Sequence, residues 1–585
     1  MLIMFGRFSP LSFNTGKFKN RAYYPNLWDV IAVVLVIALI IAVASGARQM
    51  SAPFALGEVL EISLDPSNLP GYTLQTLLRM SIALLFSLLF TFIFATWAAK
   101  SPRAEKLIIP IIDILQSIPV LAFLSITIVG FIALFPNSLW GPQCAVIFLI
   151  FTAQAWNMAL SFYQSLKTLP IEFKEAADMF HLSGWQRFWR IEVPFAVPGL
   201  LWNAMMSMSA SWFALVASEA ISVFDQTINL PGIGSYIAAA IKAADLHAVG
   251  YAILAMFIAI LCYDQLLFRP LVKWAEKFKA EQTASERVPN SWLVTLLERT
   301  RILRYVGHWI EQGADAFVNC RWFRTNFRQI HHHHLSPKTE RWINWVWNSL
   351  IILVLIAAAA TLMQFILAYL SIQEVFHVLY LGMITAIRVI ILIFVCSLIW
   401  VPIGVWIGLR PNVAEVIQPI AQFLAAFPAN LLFPLVVVLI VRYQLNVNVW
   451  TTPLMILGAQ WYILFNVVAG TSAIPKELRQ AAENFGVKGW LWWKRLILPG
   501  IFPYYITGAI TASGGAWNAS LVAEVVVWGD TTLRATGLGS YITENTGRFP
   551  ETALGVSIMC LFVLSLNRLI WRPLYRLASS RFQLS

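Results

Sequence analysis

The chain has 585 residues, of which 59% are hydrophobic and only 12% charged, and its mean hydropathy is +0.70. Soluble domains carry about 25% charged residues, so the composition excludes an ordinary water-exposed globular protein. The net charge of +12 lies largely on segments flanking apolar runs, where Lys and Arg orient a membrane protein, and it gives no reason to invoke nucleic acid.

In chain order, apolar runs of bilayer-spanning length fall near 28–46, 73–98, 107–133, 143–164, 194–219 and 248–268, then 343–370, 381–408, 412–441, 452–470, 499–526 and 553–571. With no water available in hydrocarbon, each run must satisfy its own backbone and reads as a helix. The first run has a longer leading segment and apolar core than a signal peptide, so it reads as a retained anchor. The expected fold is all-α, a polytopic membrane protein of about twelve transmembrane helices.

Basic residues place the ends. Arg7, Lys17, Lys19 and Arg21 precede the first run, and segment 269–342 holds Arg269, Lys273, Lys277, Lys279, Arg301, Arg304, Arg321, Arg324 and Arg328. Loop 47–72 carries Glu58, Glu61 and Asp65 against a single Arg48. Both termini and the central linker are therefore expected in the cytoplasm, with the chain multi-pass in the cell (inner) membrane. The five cysteines, Cys144, Cys262, Cys320, Cys396 and Cys560, have no paired spacing and support neither a disulfide framework nor a zinc site.

The chain repeats itself. At an offset of 309, Thr76-Leu77-Leu78-Arg79 matches Thr385-Ala386-Ile387-Arg388, and Pro102, Pro110 and Pro119 match Pro411, Pro419 and Pro428. At 305, Trp156, Pro170, Gly184, Pro194 and Glu219 match Trp461, Pro475, Gly489, Pro499 and Glu524. Gly232-Ile233-Gly234-Ser235-Tyr236 likewise matches Gly537-Leu538-Gly539-Ser540-Tyr541. The expected organisation is a tail (1–27), a first six-helix repeat (28–274), a basic linker (275–342), a second repeat (343–577) and a C-terminal tail (578–585). Six spans each make the repeats parallel, with a pathway expected between them.

Between the fourth and fifth spans of each repeat lies a polar hairpin. The first runs from Leu169-Pro170-Ile171-Glu172 through Glu175-Ala176-Ala177, His181 and Gly184-Trp185 to Pro194. The second runs from Ile474-Pro475-Lys476-Glu477 through Gln480-Ala481-Ala482, Gly486 and Gly489-Trp490 to Pro499. The prolines suit a helix start, Glu172 and Glu477 suit its positive end, and the alanines allow another surface to come close.

These hairpins resemble the EAA loop of ABC importer permeases, and Ser117-Ile118-Pro119-Val120-Leu121-Ala122-Phe123 and Ala516-Trp517-Asn518-Ala519-Ser520-Leu521-Val522-Ala523-Glu524 resemble the nitrate/taurine/sulfonate group. The resemblance covers both repeats and excludes the N-terminal tail and linker. It implies the permease of an ATP-driven importer, duplicated in one chain, for a small inorganic or organic anion. Nitrate, sulfonates, taurine and bicarbonate all stay open. It further implies two ABC ATPase subunits docking on the hairpins at Glu175, Ala176, Ala177, His181, Gly184, Gln480, Ala481, Ala482, Gly486 and Gly489, with a substrate-binding protein outside. Two departures stand out: His181 replaces the motif's glycine and Gln480 its glutamate, which reads either as drift or as unequal docking sites. No segment matches the G-x-x-x-x-G-K-[ST] phosphate loop, so the chain is expected to be no enzyme and to bind no cofactor. ATP and Mg would be held by the partner subunits.

Polar stripes inside the spans are either pathway walls or interhelical hydrogen bonding. They comprise Gln154, Asn157, Ser161 and Gln164; Asn203, Ser207 and Ser211; Gln460, Tyr462 and Asn466; and Thr511, Ser513 and Asn518. Asn203, Ser207 and Ser211 correspond to Gly508, Ala512 and Ala516, so a pathway would be asymmetric. Glu219 and Glu524 read either as a gate or as structural partners of a nearby loop. An ion-coupled secondary transporter of 6+6 helices is the alternative, but charged relay residues within spans are scarce. In the linker, Trp292, Leu296, Leu303, Val306, Ile310 and Phe317 suggest an amphipathic surface helix. His331 to His334 read as a solvated segment rather than a metal site.

Overall fold

The computed structural model describes residues 27–50, 61–223, 226–278, 292–320 and 337–581. The basic tail residues Arg7 to Arg21, Glu58, Lys279, Arg321, Arg324, Arg328 and the His331–His334 run lie outside the described residues.

The first repeat contains α1 (Leu27–Met50), α2 (Leu69–Phe90), α3 (Pro102–Ser117), α4 (Val120–Leu134), α5 (Trp140–Lys167), α6 (Ile171–Met179), α7 (Gly184–Arg187), α8 (Val193–Glu219), α9 (Ile233–Lys242) and α10 (Leu246–Tyr263). The linker supplies α11 (Trp292–Arg299) and α12 (Arg301–Val318). The second repeat contains α13 (Pro337–Tyr369), α14 (Ile372–Gly408), α15 (Pro411–Ala426), α16 (Phe433–Arg442), α17 (Gln460–Ser472), α18 (Lys476–Asn484), α19 (Gly489–Trp492), α20 (Leu498–Ala523), α21 (Leu538–Glu544) and α22 (Phe549–Leu566). Among the described residues nine helices are long and apolar enough to cross a membrane, or ten if the pair Val447–Ile456 and Gln460–Ser472, bent by 42°, is one span.

The difference from the expected twelve lies mainly in the third span of each repeat. Run 107–133 divides at Pro119 into α3 and α4, and run 412–441 divides at Pro428 into α15, a 3-10 turn (Ala429–Leu432) and α16. A proline holds the preceding residue out of the helical region; Ile118 (φ −77°, ψ 128°) and Phe427 (φ −72°, ψ 128°) are both extended. The same break in both repeats makes it a feature of the fold.

Each repeat packs its own core. Trp212 on α8 and Trp517 on α20, equivalent across the repeat, are both 1% exposed. Small residues such as Ala83, Ala155, Ala159 and Ala204 let α2, α5 and α8 approach closely. The outer faces are the reverse of a soluble protein: Leu39, Ile40 and Ile41 on α1, Leu353 and Ile356 on α13, and Phe394 and Leu398 on α14 are exposed. An apolar belt of that extent fits a lipid surround.

Sequence reading anticipated no strands, yet each repeat has a short antiparallel hairpin just after its fifth-span helix. β1 (Ala220–Val223) pairs with β2 (Gln226–Asn229), placing Ile221 opposite Ile228. β3 (Val525–Trp528) pairs with β4 (Thr531–Arg534), placing Val526 opposite Leu533.

The two repeats meet directly. The Val120 amide donates to Asn518 Oδ1 at 2.5 Å, and Asn430 Nδ2 donates to the Phe213 carbonyl at 3.4 Å. Arg572 pairs with Asp113 at 3.1 Å, and the Gly529 amide donates to the Ile241 carbonyl at 2.9 Å. At offsets of 309 and 305, Val120 corresponds to Ala429 and Phe213 to Asn518. The first two contacts are therefore the two sides of one pseudo-symmetric seam.

Candidate functional site

Glu219 ends α8 fully buried. It accepts hydrogen bonds from Arg79 Nη1 at 2.5 Å, Thr76 Oγ1 at 2.8 Å and the Gly234 amide at 2.6 Å. Arg79, also fully buried, spends its other donors on Gln143 Oε1 (2.6 Å), Gln75 Oε1 (3.3 Å) and the Pro231 carbonyl (2.8 Å). In the second repeat Glu524 accepts from Thr385 (2.9 Å), Arg388 (3.1 Å) and the Ser540 amide (3.1 Å), and Arg388 also reaches Asn448 at 3.2 Å. A buried charge is tolerable only with a partner and satisfied hydrogen bonds, and both copies meet that condition. A Cβ on Gly232 would collide with the Glu219 carboxylate, and one on Gly537 with that of Glu524. The repeated glycine motif thus serves close approach of the loop to the carboxylate. In the sequence Arg79 and Arg388 stand out only as repeat markers; the available signal for the pair was a lone arginine in the second span and a lone glutamate in the fifth, both recurring in the two repeats.

The hairpins between fourth and fifth spans have the same backbone. α6 starts after Pro170 and α18 after Pro475, each proline in an extended conformation. Both helices end in a left-handed residue: His181 at φ 48° and Gly486 at φ 65°. Beyond it the Leu182 amide returns to the Ala177 carbonyl at 3.0 Å, and the Val487 amide to the Ala482 carbonyl at 2.9 Å, closing the terminal turn. Ala177 is buried against the body, while Glu175, Gln480, Met179 and Phe180 face outward. Phe485 is 84% exposed and Trp490 72%. Ala176, Ala481 and Ala482 are half-buried, as is Gly184; Gly489 is exposed.

Several stripe residues bond within their own repeat. Asn203 Nδ2 donates to Ser161 Oγ at 2.9 Å, and Ser161 donates to the Gly199 carbonyl at 3.1 Å, tying α5 to α8. Ser207 and Ser211 bond back to the carbonyls of Asn203 and Ser207. Gln154 is buried beside the Met80 sulfur, Gln460 accepts from Trp400 Nε1, and Asn466 bonds to the Tyr462 carbonyl. Thr511 bonds to the Thr507 carbonyl. Asn518 crosses the seam to Val120, and Asn157 accepts from Gln116 at 2.9 Å. Gln116, on the third span, is not among the stripes read from the sequence, although Asp113 one turn earlier on the same helix was an available signal. Across the other side of the seam Met205, Met206 and Ser209 face Ala425, Ala426, Tyr462 and Phe465 around a narrow cleft.

The sequence profile described as "Binding-protein-dependent transport system inner membrane component" matches residues 89–268 and 400–573, more than half of the chain. The chain belongs to this family. It carries the family's unit twice, and each match contains one hairpin and one buried glutamate. Individual relatives are more distant. The bicarbonate transport system permease protein CmpB of Synechococcus elongatus is 27% identical over 26% of this chain and 51% of its own length. The taurine transport system permease protein TauC of Escherichia coli is 24% identical over 31% of this chain and 62% of its own. The nitrate import permease protein NrtB of Leptolyngbya laminosa is 26% identical over 19% of this chain and 38% of its own. The chain thus spans about half the length of the curated relatives it matches.

Outside both family matches, the described part of the linker packs on the first hairpin in a way that breaks the repeat. Trp185 Nε1 donates to the Phe317 carbonyl at 3.2 Å and the two rings lie 5.2 Å apart. Asn319 Oδ1 accepts from Gln186 Nε2 and Arg190 Nη2, each at 3.1 Å. Arg299 lies over the Trp28 ring at 5.2 Å, joining α11 to the start of α1. The matching positions of the second hairpin, Trp490, Leu491 and Arg495, are exposed.

Proposed function

We propose that this protein is the permease of an ATP-driven importer, with both permease units in one chain and the solute pathway between them. The observation that carries this reading is the duplicated hairpin, built to one backbone plan and presenting exposed apolar side chains at its outer edge. An exposed patch of Phe, Trp and Met on a water-facing loop calls for a protein partner. The partner is an ATPase subunit at each hairpin, holding ATP and Mg; the chain itself has no phosphate-cradling loop and acts as transporter, not enzyme. Helices α6 and α18 pass the ATPases' closure into the bundle, and an extracytoplasmic binding protein delivers solute. The termini, linker and hairpins lie on the cytoplasmic side of the cell membrane, in keeping with the excess of Lys and Arg there.

The solute is a small anion or zwitterion. Support comes from the relatives, which are named for bicarbonate, taurine and nitrate transport. The deciding experiment is gentle detergent purification of the tagged chain from its native membrane, with mass spectrometry of what accompanies it. Recovery of a P-loop ATPase, lost on Ala176→Arg together with Ala481→Arg, supports the importer. A chain that purifies alone and moves solute in vesicles without ATP makes it an ion-coupled secondary transporter.

A further inference from the structure

The repeat allows each side of the seam to be compared with its pseudo-symmetric counterpart, and the two differ in chemistry. On one side, α8 of the first repeat meets α15 and α17 of the second through Met206, Ser209, Ala425 and Tyr462. Ala425 and Tyr462 are buried there. The counterparts on the other side, by the offsets that relate the repeats, are Thr511, Gly514, Gln116 and Asn157. Met206 is replaced by a hydroxyl and Ala425 and Tyr462 by two amides, while Ser209, whose hydroxyl pairs with that of Tyr462, is replaced by glycine.

This second side is also the open one. Gln116 and Thr511 are exposed, and a Cβ placed on Gly514 would meet nothing within 4 Å. Gln116 Nε2 bonds to Asn157 Oδ1 at 2.9 Å. Among the described contacts that leaves the two N–H donors of Asn157, the second N–H of Gln116 and the Gln116 carbonyl available, since a primary amide brings two donors and a carbonyl oxygen. No cationic side chain among the described residues hydrogen-bonds to Gln116, Asn157 or Thr511.

We infer that solute crosses the bundle along one wall only, passing Thr511 and hydrogen-bonding to the free N–H groups of Gln116 and Asn157, while the Met206–Ala425–Tyr462 side is a closure. This rests on the pathway lying between the repeats, as proposed above. Uncharged donors recognise carboxylate, sulfonate, nitrate or bicarbonate oxygens without holding them, and passage requires binding weak enough to leave. The wall therefore selects oxygen-bearing anions and zwitterions, with tight capture assigned elsewhere.

The test is site-specific thiol labelling of the full-length chain in native membranes, read peptide by peptide by mass spectrometry. Gln116→Cys and Thr511→Cys are compared with Ala425→Cys and Met206→Cys, using the anionic reagent methanethiosulfonate ethylsulfonate. Each rate is normalised to the denatured chain, so a slow site reports inaccessibility. At least tenfold faster labelling of the first pair is expected; equal or reversed rates overturn the inference. A second variant reads whether Asn157 shares the same space. Asn157→Asp should shift the ratio of cationic to anionic reagent rates at Thr511→Cys toward the cation, by about thirtyfold for a charge about 4 Å away in water, because the two reagents respond about fivefold each in opposite directions. An unchanged ratio removes Asn157 from the wall. Labelling needs neither ATP nor a partner subunit, so failure to recover an ATPase would sink the importer reading and leave this result standing.

Discussion

His181 and Gly486 hold the same left-handed backbone at the end of equivalent helices, but only the glycine does so without a steric penalty. For a residue with a Cβ that conformation costs roughly 1–2 kcal/mol. His181→Gly should therefore raise stability by about 1 kcal/mol, visible as a higher Tm in detergent, while Gly486→His should lower it by a similar amount. The buried ion pairs predict a larger asymmetry. Removing one partner of a buried pair costs about 3–5 kcal/mol, a large part of a typical folding free energy of 5–15 kcal/mol. Arg79→Ala should deplete folded protein severely, measured by fluorescence-detected size exclusion. Arg388, 12% exposed against 0% for Arg79, has solvent to fall back on, so Arg388→Ala should be milder. Little of this was visible beforehand: Glu219 and Glu524 read equally well as gate or as structural support. Their bonds to arginine, threonine and loop amides needed coordinates to see.

At the scale of elements, the linker's grip on the first hairpin is separable from the hairpin itself. Phe317→Ala removes the ring packed on Trp185, so hydrogen exchange across 301–318 should quicken, while exchange in α18 and α19 stays as before. A smaller effect belongs to the start of α2, where Asp65 caps the turn Pro66–Asn68 by accepting from the Ser67 amide at 2.9 Å. That bond holds the Asp65 carboxyl below its usual range. A carboxyl with a lowered folded-state pKa contributes fully above its unfolded pKa and loses the contribution as pH falls through the folded value. The protection factor at Ser67, its exchange rate normalised to the intrinsic rate at each pH, should accordingly fall on acidification and stay flat with pH in Asp65→Asn. Most spans were legible as apolar runs, because a lipid-facing helix needs no other signal. The third spans were less so: hydropathy runs continuously through Pro119 and Pro428, and only the proline marks the break. The four-residue strands left no trace, being too short for alternation to separate them from loop.

For the whole molecule, the repeats are joined by noncovalent contacts as well as by the linker. Val120–Asn518, Asn430–Phe213, Arg572–Asp113 and Gly529–Ile241 all cross from one repeat to the other. A chain broken between Ser285 and Glu286 and co-expressed as two polypeptides should still co-purify through a tag on either piece. Asn518→Ala with Asp113→Ala should reduce the yield of the untagged piece several-fold. The repeat was legible because rare residues keep register through both halves, whereas the seam was not. Its contacts join positions hundreds of residues apart, at which the two copies have diverged.

That divergence has a consequence for how such a molecule changes over generations. In an assembly of two identical chains every substitution appears on both sides of the axis, so a change that suits one side must be survivable on the other. Here position 157 can be asparagine while position 462 is tyrosine, and position 511 threonine while position 206 is methionine. Joining the copies frees each wall to be selected on its own, and a mutation that widens one need never be answered by the other.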